Sequence, residues 1–340
     1  SETYRGDMTM HELTGLLRKY PVNRRLKYAE KEGVVDRNTP CDVAPSCMHS
    51  VVKMNGTYME LAGKFYEWRG VFGSGMFVVM LLSVYGLFFS IVLFNSIMTS
   101  IDERYLWPIG VFSFAFSVAL VLFSVWGSSM EFFRLTHYPI RLNRKLRKIY
   151  AFDPRTMKLL EMDWDKTYFT IQPTRTRIPQ QQWEILALTI DADGETVRHV
   201  LPFSGMWYAE KDVLRHWEYL RRYMEEGPEA IIEYTPVFLD IANRKETFME
   251  GFHRLYAPFY HLTKTPFVLM FGPWMFFSAI GRHIGMLTSK IPQWPAHVED
   301  ECRIEPGDRW EYDARDNPAD YWAALPKLRS EMIAEGMVSR

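Results

Sequence analysis

The sequence predicts an α+β membrane protein that consists of a transmembrane helical hairpin, a strand-rich cytoplasmic domain and a helical C-terminal region. Two long runs without charged residues predict the hairpin. Stretches rich in β-branched and aromatic residues follow these runs, and they predict strands. An amphipathic stretch that begins near Glu210, together with aromatic stripes after Gly227, predicts the helices.

The composition is that of a folded protein whose charge is local. The 340 residues are 48% hydrophobic and 15% aromatic, and the formal net charge is -1. A neutral chain argues against nucleic acid as a partner, because nucleic-acid-binding proteins usually carry a basic surface. The three cysteines, Cys41, Cys47 and Cys302, provide neither a disulfide framework nor a zinc motif. We therefore expect no metal and no cofactor.

These patterns divide the chain into five segments. They are an N-terminal cytoplasmic segment (1–69), a two-helix transmembrane hairpin (70–131), a strand-rich cytoplasmic domain with a terminal helix (138–227), a helical region with an apolar segment at 266–281 (228–298), and an acidic and aromatic tail (299–340).

The two apolar runs are the strongest signal in the sequence. No charged residue occurs from Gly70 to Ile101 or from Tyr105 to Met130, and about 20 apolar residues suffice to cross a bilayer. Only a short charged loop separates the runs, so the helices must be antiparallel neighbours. Small residues predict the face through which they pack, although incidental serine content is an alternative. This face comprises Ser83, Gly86 and Ser90 on the first helix, and Ser113, Ser117, Ser124 and Ser128 on the second.

Basic residues flank the hairpin and predict its orientation. The connecting loop holds only Arg104, whereas many bases follow the second run. The positive-inside rule therefore places both termini in the cytoplasm and assigns the downstream bases as membrane and lipid anchors. The predicted anchors are Arg134, Arg141, Arg144, Lys145, Arg147 and Lys148.

The basic stretch RLNRKLRKIY, residues 141–150, is compatible with two structures. With a period of 3.6, Leu142, Leu146 and Ile149 form the apolar stripe of a helix that lies on anionic lipid. With a period of two, the chain turns at NRK and returns as a strand through Lys148 and Tyr150. Periodicity alone does not decide between them.

The following residues favour strands and then one helix. YFTIQP, EILALTID and TVRHVLPF have strand composition, and Asp193-Gly194 between the last two is a hairpin turn signal. AEKDVLRHWEYLRRYMEEGP places Val213, Trp217 and Leu220 on one helical face, and Gly227-Pro228 ends that helix. This order suggests a small sheet capped by an amphipathic helix.

The C-terminal third is predicted to be mostly helical from 229 to 262. The apolar segment at 266–281 is short for a span and is interrupted by Gly272-Pro273, so we expect a cytoplasmic element that lies against lipid or is buried in the domain. The tail contains eleven acidic and six basic residues. It is interpreted either as a solvated extension or as a partner-binding arm. The arm's candidate contact residues are Trp310, Tyr312, Tyr321 and Trp322.

Several motifs resemble known bacterial proteins. PIRLNRKLRKIYAF resembles the first hairpin of membrane proteins with pleckstrin-homology-like (PH-like) domains. Together with GTYMELAGKFYEWRG, HWEYLRRYME and GRHIGMLTSKIPQWPAHVEDEC, it resembles an uncharacterised family of two-span bacterial inner-membrane proteins associated with type VI secretion loci. The resemblance covers roughly residues 50 to 305. It implies an inner-membrane location and a role in interbacterial competition, and it assigns no catalytic residues.

The sequence contains no GxSxG, P-loop or HExxH motif, so no catalytic residue is proposed. We expect a non-enzymatic membrane protein that binds a protein partner, as an immunity or effector-accessory protein in type VI secretion; a hydrolase without a recognised motif is the enzymatic alternative. The partner would be a toxin, an effector or a secretion component, and self-association stays open. The alternative function is an anionic-lipid-sensing membrane scaffold that uses the basic hairpin. A pore is disfavoured, because the spans offer mainly serine as a polar lining.

Overall fold

The structure, a computed structural model, describes residues 20–318 except for 65, 67–68, 100–103, 154–157, 175–181, 204–208 and 257–266. The chain divides into two compact units. Unit 1 comprises Ser1–Glu67, His137–Lys245 and Ile291–Arg340, and unit 2 comprises Trp68–Thr136 and Glu246–Lys290. The chain therefore leaves unit 1 and returns to it twice.

Nine strands and seven α-helices are assigned among the described residues. The strands are β1 (Arg24–Arg25), β2 (Val51–Met54), β3 (Tyr58–Ala62), β4 (Pro139–Asn143), β5 (Lys148–Phe152), β6 (Leu159–Asp163), β7 (Tyr168–Thr174), β8 (Gln182–Ile190) and β9 (Thr196–Pro202). The helices are α1 (Tyr28–Glu32), α2 (Val71–Thr99), α3 (Trp107–Ser128), α4 (Glu210–Glu225), α5 (Phe248–Tyr256), α6 (Phe267–Thr288) and α7 (Ala296–Glu301).

One sheet of unit 1 is an antiparallel meander in the order β2-β3-β4-β5-β6. Strand β3 pairs directly with β4, with Tyr58 opposite Asn143 and Ala62 opposite Pro139. The N–H of Gly63 donates to the carbonyl of Tyr138 at 2.9 Å, which continues this pairing by one residue. Helices α2 and α3 are therefore an insertion in a β3–β4 connection whose two ends are adjacent.

The basic stretch forms a hairpin, which decides between the two predicted structures in favour of the strands. Arg141 lies opposite Tyr150 and Asn143 lies opposite Lys148 in the β4–β5 register. The side chain of Asn143 accepts a hydrogen bond from the N–H of Leu146 at 2.9 Å and stabilises the turn. The interfacial-helix alternative for residues 141–150 is wrong.

The second sheet has the order β1-β9-β8-β7 and contains the predicted Asp193-Gly194 turn. The carboxylate of Asp193 accepts hydrogen bonds from the N–H groups of Glu195 and Thr196 at 2.9 and 2.8 Å. Gly194 has a φ of 71°, a conformation that glycine adopts at little cost.

The core of unit 1 lies between the two sheets and α4. Trp217 of α4 is fully buried, and its ring stacks on Trp164 with centroids 5.9 Å apart. Phe169 of β7 packs against both tryptophans at 4.7 Å. Helix α4, which was predicted to cap one sheet, therefore packs against a core to which both sheets contribute.

In unit 2, α2 and α3 are the two predicted apolar helices. They contain 29 and 22 residues, and the mean hydropathy of their most apolar windows is 2.6 and 2.2. Only 11% and 17% of those windows are buried. Both helices are long and apolar enough to cross a membrane, and they lack the extensive burial of a soluble core helix.

The apolar segment predicted at 266–281 belongs to a longer helix. Helix α6 runs from Phe267 to Thr288 and contains Pro273. The proline removes one backbone donor and does not end the helix, because α6 packs against both α2 and α5 and these contacts hold it together. The predicted interruption at Gly272-Pro273 is therefore wrong.

Of the predicted helical region 229–262, the described residues up to Tyr256 are less helical than predicted, and 257–262 lie outside the described residues. Two short 3₁₀ turns at Pro228–Ala230 and Ile232–Tyr234 precede α5. Val237, Phe238 and Leu239 lie between these turns and α5 in non-helical backbone, and all three are buried. The N–H of Leu239 donates to the carbonyl of Val51 at 2.8 Å, so this segment is held against β2 by pairing that periodicity does not predict.

Candidate functional site

A cavity of about 440 Å³ lies beside β2, at the edge of the five-stranded sheet. We call it the β2 groove. Three stretches of unit 1 line it: β2 with the following turn, the segment around Leu239, and the first part of the tail. The polar and aromatic side chains of its lining include Lys53, Tyr58, Asp240, Glu311, Tyr312, Asp313 and Arg315.

The tail forms one wall of the groove by pairing with β2. The N–H of Met54 donates to the carbonyl of Tyr312 at 2.9 Å, and the N–H of Tyr312 donates back to Met54 at 2.8 Å. The ring of Tyr312 stacks on Phe238 with centroids 6.2 Å apart. The tail and the segment around Leu239 together cover parts of the β2 edge, whose backbone groups would otherwise be available to pair with another chain.

Charges of both signs line the groove. The pKa of Asp313 is lowered, chiefly because the side chain of Arg315 donates to its carboxylate. Asp240 forms an ion pair with Arg244 at 2.6 Å. With tyrosine rings and exposed Glu311 beside them, these groups suit a partner with polar and aromatic side chains better than a purely apolar ligand.

Arg141, a predicted lipid anchor, is buried on the outer face of the sheet. Its guanidinium lies 2.7 Å from the Glu60 carboxylate, and its side chain is only 3% exposed. The rings of Tyr58 and Trp294 flank it with centroids 4.4 and 4.6 Å from Cζ. The indole N–H of Trp294 also donates to Glu60 at 3.0 Å. Arg141 is thus bound between two aromatic rings and a carboxylate of its own unit.

Three further predicted anchors also have carboxylate partners within unit 1. Arg147 lies 2.7 Å from Asp165 and 2.8 Å from Glu225. Lys148 lies 2.6 Å from Glu301, and Lys145 pairs with Glu305. The pKa of Glu301 is lowered, first because Lys148 donates to it and second because Tyr150 does. Most of the positive charge of this hairpin is neutralised locally.

The remaining two anchors lie in different units. The N–H of Arg144 in unit 1 donates to the carbonyl of Thr57 at 2.9 Å, beside the hairpin turn. Arg134 lies in unit 2, after α3, where its carbonyl accepts from the N–H of Lys290 at 2.8 Å. Their role as lipid anchors stays a prediction.

The small residues predicted to pack the hairpin do meet at several points. The hydroxyl of Ser90 lies 2.6 Å from that of Ser113 and 3.4 Å from that of Ser117. A methyl group added at Gly86 would lie 3.3 Å from the Ser117 hydroxyl. Ser83 and Ser124 are buried, but their hydroxyls donate to carbonyls of their own helices, while Ser128 is half-buried.

The four candidate partner-binding residues of the tail do not form one described patch. Tyr312 pairs with Met54 as above, and Trp310 is half-buried with Arg309 over its ring at 4.8 Å. Tyr321 and Trp322 lie outside the described residues. Partner binding by these aromatic residues stays a prediction.

Unit 2 contains a buried charged cluster that local sequence patterns do not reveal. Its four charged side chains are those of Arg69, Glu131, Glu246 and Arg282. Glu246 lies 2.9 Å from Arg282, and the Glu131 carboxylate accepts from the N–H of Gly73 at 2.7 Å at the start of α2. Arg69 donates to the carbonyl of Glu131 at 2.7 Å and to the hydroxyl of Ser289. The available sequence signal was position, because Arg69, Glu131 and Arg282 each lie directly beside the end of an apolar run.

A second buried network, in unit 1, was also missed. The ammonium of Lys64 lies 2.7 Å from Glu184 and 2.6 Å from the hydroxyl of Tyr20. That hydroxyl donates to the same carboxylate at 2.7 Å. Because Lys64 follows β3 and Glu184 lies in β8, the network links the two sheets of unit 1.

Two buried side chains of unit 1, Cys47 and His216, are held in their neutral forms. Burial raises the pKa of Cys47 to about 11, which keeps its thiol protonated. His216 is fully buried and donates from Nδ1 to the Ser46 carbonyl at 3.2 Å, and burial lowers its pKa to about 4. No group of three or more His, Cys, Asp or Glu residues in the described part of the chain could hold a metal ion.

These contacts define an α+β protein that carries two helices long and apolar enough to cross a membrane. Residues 117–306, more than half of the chain, match the family of unknown function DUF6708, and the chain belongs to this family. No curated protein and no solved structure matches the chain.

Proposed function

We propose that this chain is a non-enzymatic integral protein of the bacterial inner membrane that presents unit 1 to a protein partner. The observation that carries the proposal is the insertion of two bare apolar helices into one strand connection of a folded unit. Large apolar side chains left in water are unfavourable, and lipid is the environment that suits a hairpin of this length. The fold then serves as a membrane-anchored binding domain.

The charge distribution supports cytoplasmic termini. Lys64 and Arg69 precede α2, and Arg134 follows α3 together with the basic hairpin. Local ion pairing reduces the net charge of the hairpin in the folded protein, but the positive-inside rule acts on the chain during insertion, before unit 1 has formed. Both ends of the chain would therefore lie in the cytoplasm.

The β2 groove is our candidate for the partner site. It runs along a sheet edge, contains tyrosine rings and charges of both signs, and has walls built partly by the tail. Backbone groups of β2 already pair with Tyr312 and Leu239, so a partner would be recognised chiefly through the side chains that line the groove. A protein segment fits this setting better than a metal ion or a nucleotide does.

The PH-like assignment and the type VI secretion context are the finer parts of the proposal. Two antiparallel sheets followed by the amphipathic helix α4 support a PH-like arrangement. The role as an immunity or effector-accessory protein rests on the motif resemblance described above. Membership of a family of unknown function is compatible with that role.

Co-expression with the products of neighbouring toxin genes tests the function. We expect co-purification and protection of cells, and both should be reduced at least tenfold by Lys53→Glu combined with Glu311→Lys in the β2 groove. Lys166→Glu, at a site whose side chain is 85% exposed and outside the groove, is the matched control. Failure of the unaltered protein to bind or protect would contradict the role, and equal effects of groove and control variants would contradict the site.

The lipid-sensing alternative receives less support. Four of the five basic residues of the 141–150 stretch are paired with carboxylates of unit 1, so few charges remain available for lipid head groups. Vesicle flotation would reveal this function if replacing those bases by glutamine reduced binding only to anionic vesicles.

A further inference from the structure

We infer that α6 belongs to a re-entrant element: it lies in the same bilayer as α2 and α3, reaches part of the way through it, and ends on the side from which the chain entered. This inference rests on the proposed membrane location of the α2–α3 hairpin. The sequence predicts a cytoplasmic element that either lies against lipid or is buried in the domain, whereas the inference places the exposed apolar side of α6 within lipid hydrocarbon.

The first observation is that α6 runs antiparallel alongside the start of α2. Gly70 packs against Arg282, and the Ser74 hydroxyl lies 3.4 Å from the carbonyl of Ser278. Further into α2, the rings of Phe77 and Phe277 have centroids 6.2 Å apart. Because Val71 is the first residue of α2, this part of α6 lies beside the first two turns of a candidate membrane span.

The second observation is that the residues just before α5 and just after α6 both lie where the hairpin begins and ends, beside the start of α2 and the end of α3. Glu246 precedes α5 and forms an ion pair with Arg282, whose Nη1 donates to the carbonyl of Arg69 at 3.0 Å. After α6, the N–H of Thr136 donates to the carbonyl of Lys290 at 2.8 Å, next to the exit from α3. A segment that begins and ends on one side of a membrane layer cannot cross that layer an odd number of times.

The third observation is length. Fifteen residues of helix separate Arg282 from Phe267, the first residue of α6, which at about 1.5 Å per residue gives roughly 22 Å. The hydrocarbon layer is about 30 Å thick. Starting from the level of Gly70, α6 is long enough to enter this layer and too short to cross it.

The fourth observation is the chemistry of the two sides of α6. Met275, Ser278, Ala279 and Arg282 are buried within unit 2. The opposite side carries Phe276, Ile280 and Ile284, which are 52%, 37% and 46% exposed. Spacings of four residues place these three side chains on one stripe.

Phe276 also contacts the rings of Phe248 and Phe252 of α5, with centroids 5.8 and 6.4 Å apart, and its exposed part belongs to a larger apolar surface. On α2, Phe77 is also exposed and contacts Phe277, so the apolar exterior of the predicted span continues onto α6. Because the exposed apolar surfaces of α2 and α6 are continuous, we assign lipid hydrocarbon as the environment of both helices. The only cation in this part of α6, Arg282, faces inward onto Glu246, which removes the main cost of placing the helix in lipid.

Site-specific photocrosslinking in native membranes tests the inference. The full chain would carry benzoylphenylalanine at Phe276 or Ile284, and adducts with radiolabelled phospholipid would be scored. Phe116, which is exposed in the middle of α3, is the positive control, and Tyr28, which is exposed in unit 1, is the negative control. We expect lipid adducts at Phe276 and Ile284 at half or more of the Phe116 yield, and none at Tyr28.

The controls separate failure of the inference from failure of the membrane location. Lipid adducts at Phe116 with protein adducts or none at Phe276 and Ile284 would overturn the re-entrant element and leave the hairpin in the membrane. Absence of lipid adducts at all four positions would overturn both. Reporters fused before Ser1 and after Arg340 complete the test, since opposite sides would mean that α6 crosses fully, against the inference.

Discussion

At the residue scale, Arg141 of the β4–β5 hairpin lies in a basic stretch, but its side chain is buried within unit 1. Arg141 pairs with Glu60 across neighbouring strands and lies between Tyr58 and Trp294. A guanidinium that stacks on aromatic rings while it donates to a carboxylate is held by its planar shape as well as its charge. Its surroundings make Arg141 a structural residue of unit 1.

Removing this guanidinium should destabilise the protein strongly. Arg141→Ala leaves the buried Glu60 carboxylate without its cation, so we expect the free energy of unfolding to fall by about 3–5 kcal/mol. Urea unfolding of the detergent-solubilised chain, followed by tryptophan fluorescence, measures this change. Lys145→Ala is the control, because Lys145 is 37% exposed and its pair should contribute only about 0.5 kcal/mol. Equal losses in the two variants would contradict the assignment.

His216 should make unit 1 sensitive to acid. Burial lowers its pKa from 6.5 to about 4, so between these values the unfolded state binds a proton that the folded state does not. The contribution is therefore fully present above pH 6.5 and is lost as the pH falls towards 4, by roughly 3 kcal/mol at about 1.4 kcal/mol per pKa unit.

Unfolding of His216→Gln between pH 7 and pH 4 checks this expectation. The variant should show a shallower loss of stability across that window than the unaltered protein. A slope unchanged by His216→Gln would refute the titration.

At the element scale, small side chains let α2 and α3 approach closely. Contacts occur at Met76 with Gly127, Gly86 with Ser117, and Phe94 with Gly110. Along these contacts the residue number increases in α2 and decreases in α3, as expected for antiparallel helices that pack along most of their length. In the proposed membrane location, lipid would provide no hydrophobic drive for association, and this close packing and the Ser90–Ser113 hydrogen bond would hold the two helices together.

A designed disulfide tests this packing. Ser90→Cys with Ser113→Cys should crosslink α2 to α3 under mild oxidation, since the two hydroxyl oxygens are 2.6 Å apart. A protease site placed within residues 100–103 would cut the connection, and the fragments should stay joined on a non-reducing gel. Phe89→Cys with Phe112→Cys, at two outward-facing positions, should release both fragments. Release in both designs would mean that the helices pack differently.

At the scale of the whole molecule, the chain combines one folded unit with two excursions from it. Unit 1 is assembled from three separated parts of the sequence, and unit 2 from two. The first excursion starts after β3 and ends before β4, although these strands are neighbours in the sheet. Both ends of the apolar hairpin are therefore joined in the chain to neighbouring strands of one sheet.

The proposed membrane topology gives a global prediction. We expect the chain to sediment with the membrane fraction, to resist extraction by carbonate and to dissolve in detergent, because the apolar sides of α2 and α3 are bare. The matched control is a variant in which a Gly-Ser linker replaces residues 68–136; it should lose most of this retention. A chain that stays monodisperse in buffer without detergent would exclude the membrane location.

Local patterns in the sequence by themselves determined the two apolar helices, the Asp193-Gly194 turn and α4. These features depend on runs of residues that are close together in the chain, so hydropathy, turn chemistry and a period of 3.6 suffice to recognise them. Local periodicity left the structure of residues 141–150 undecided, because a strand and an amphipathic helix fit the same ten residues. The pairing of β4 with β3 and β5 decided it.

Only the tertiary structure decided which distant residues meet. It placed β2 and β3, which the sequence analysis did not recognise, in a sheet with strands from beyond the hairpin. It buried Arg141 against Glu60, paired Tyr312 with Met54, and joined Glu246 to Arg282. The physical reason is that burial and ion pairing are set by partners far away in the chain, and no local period records where those partners lie.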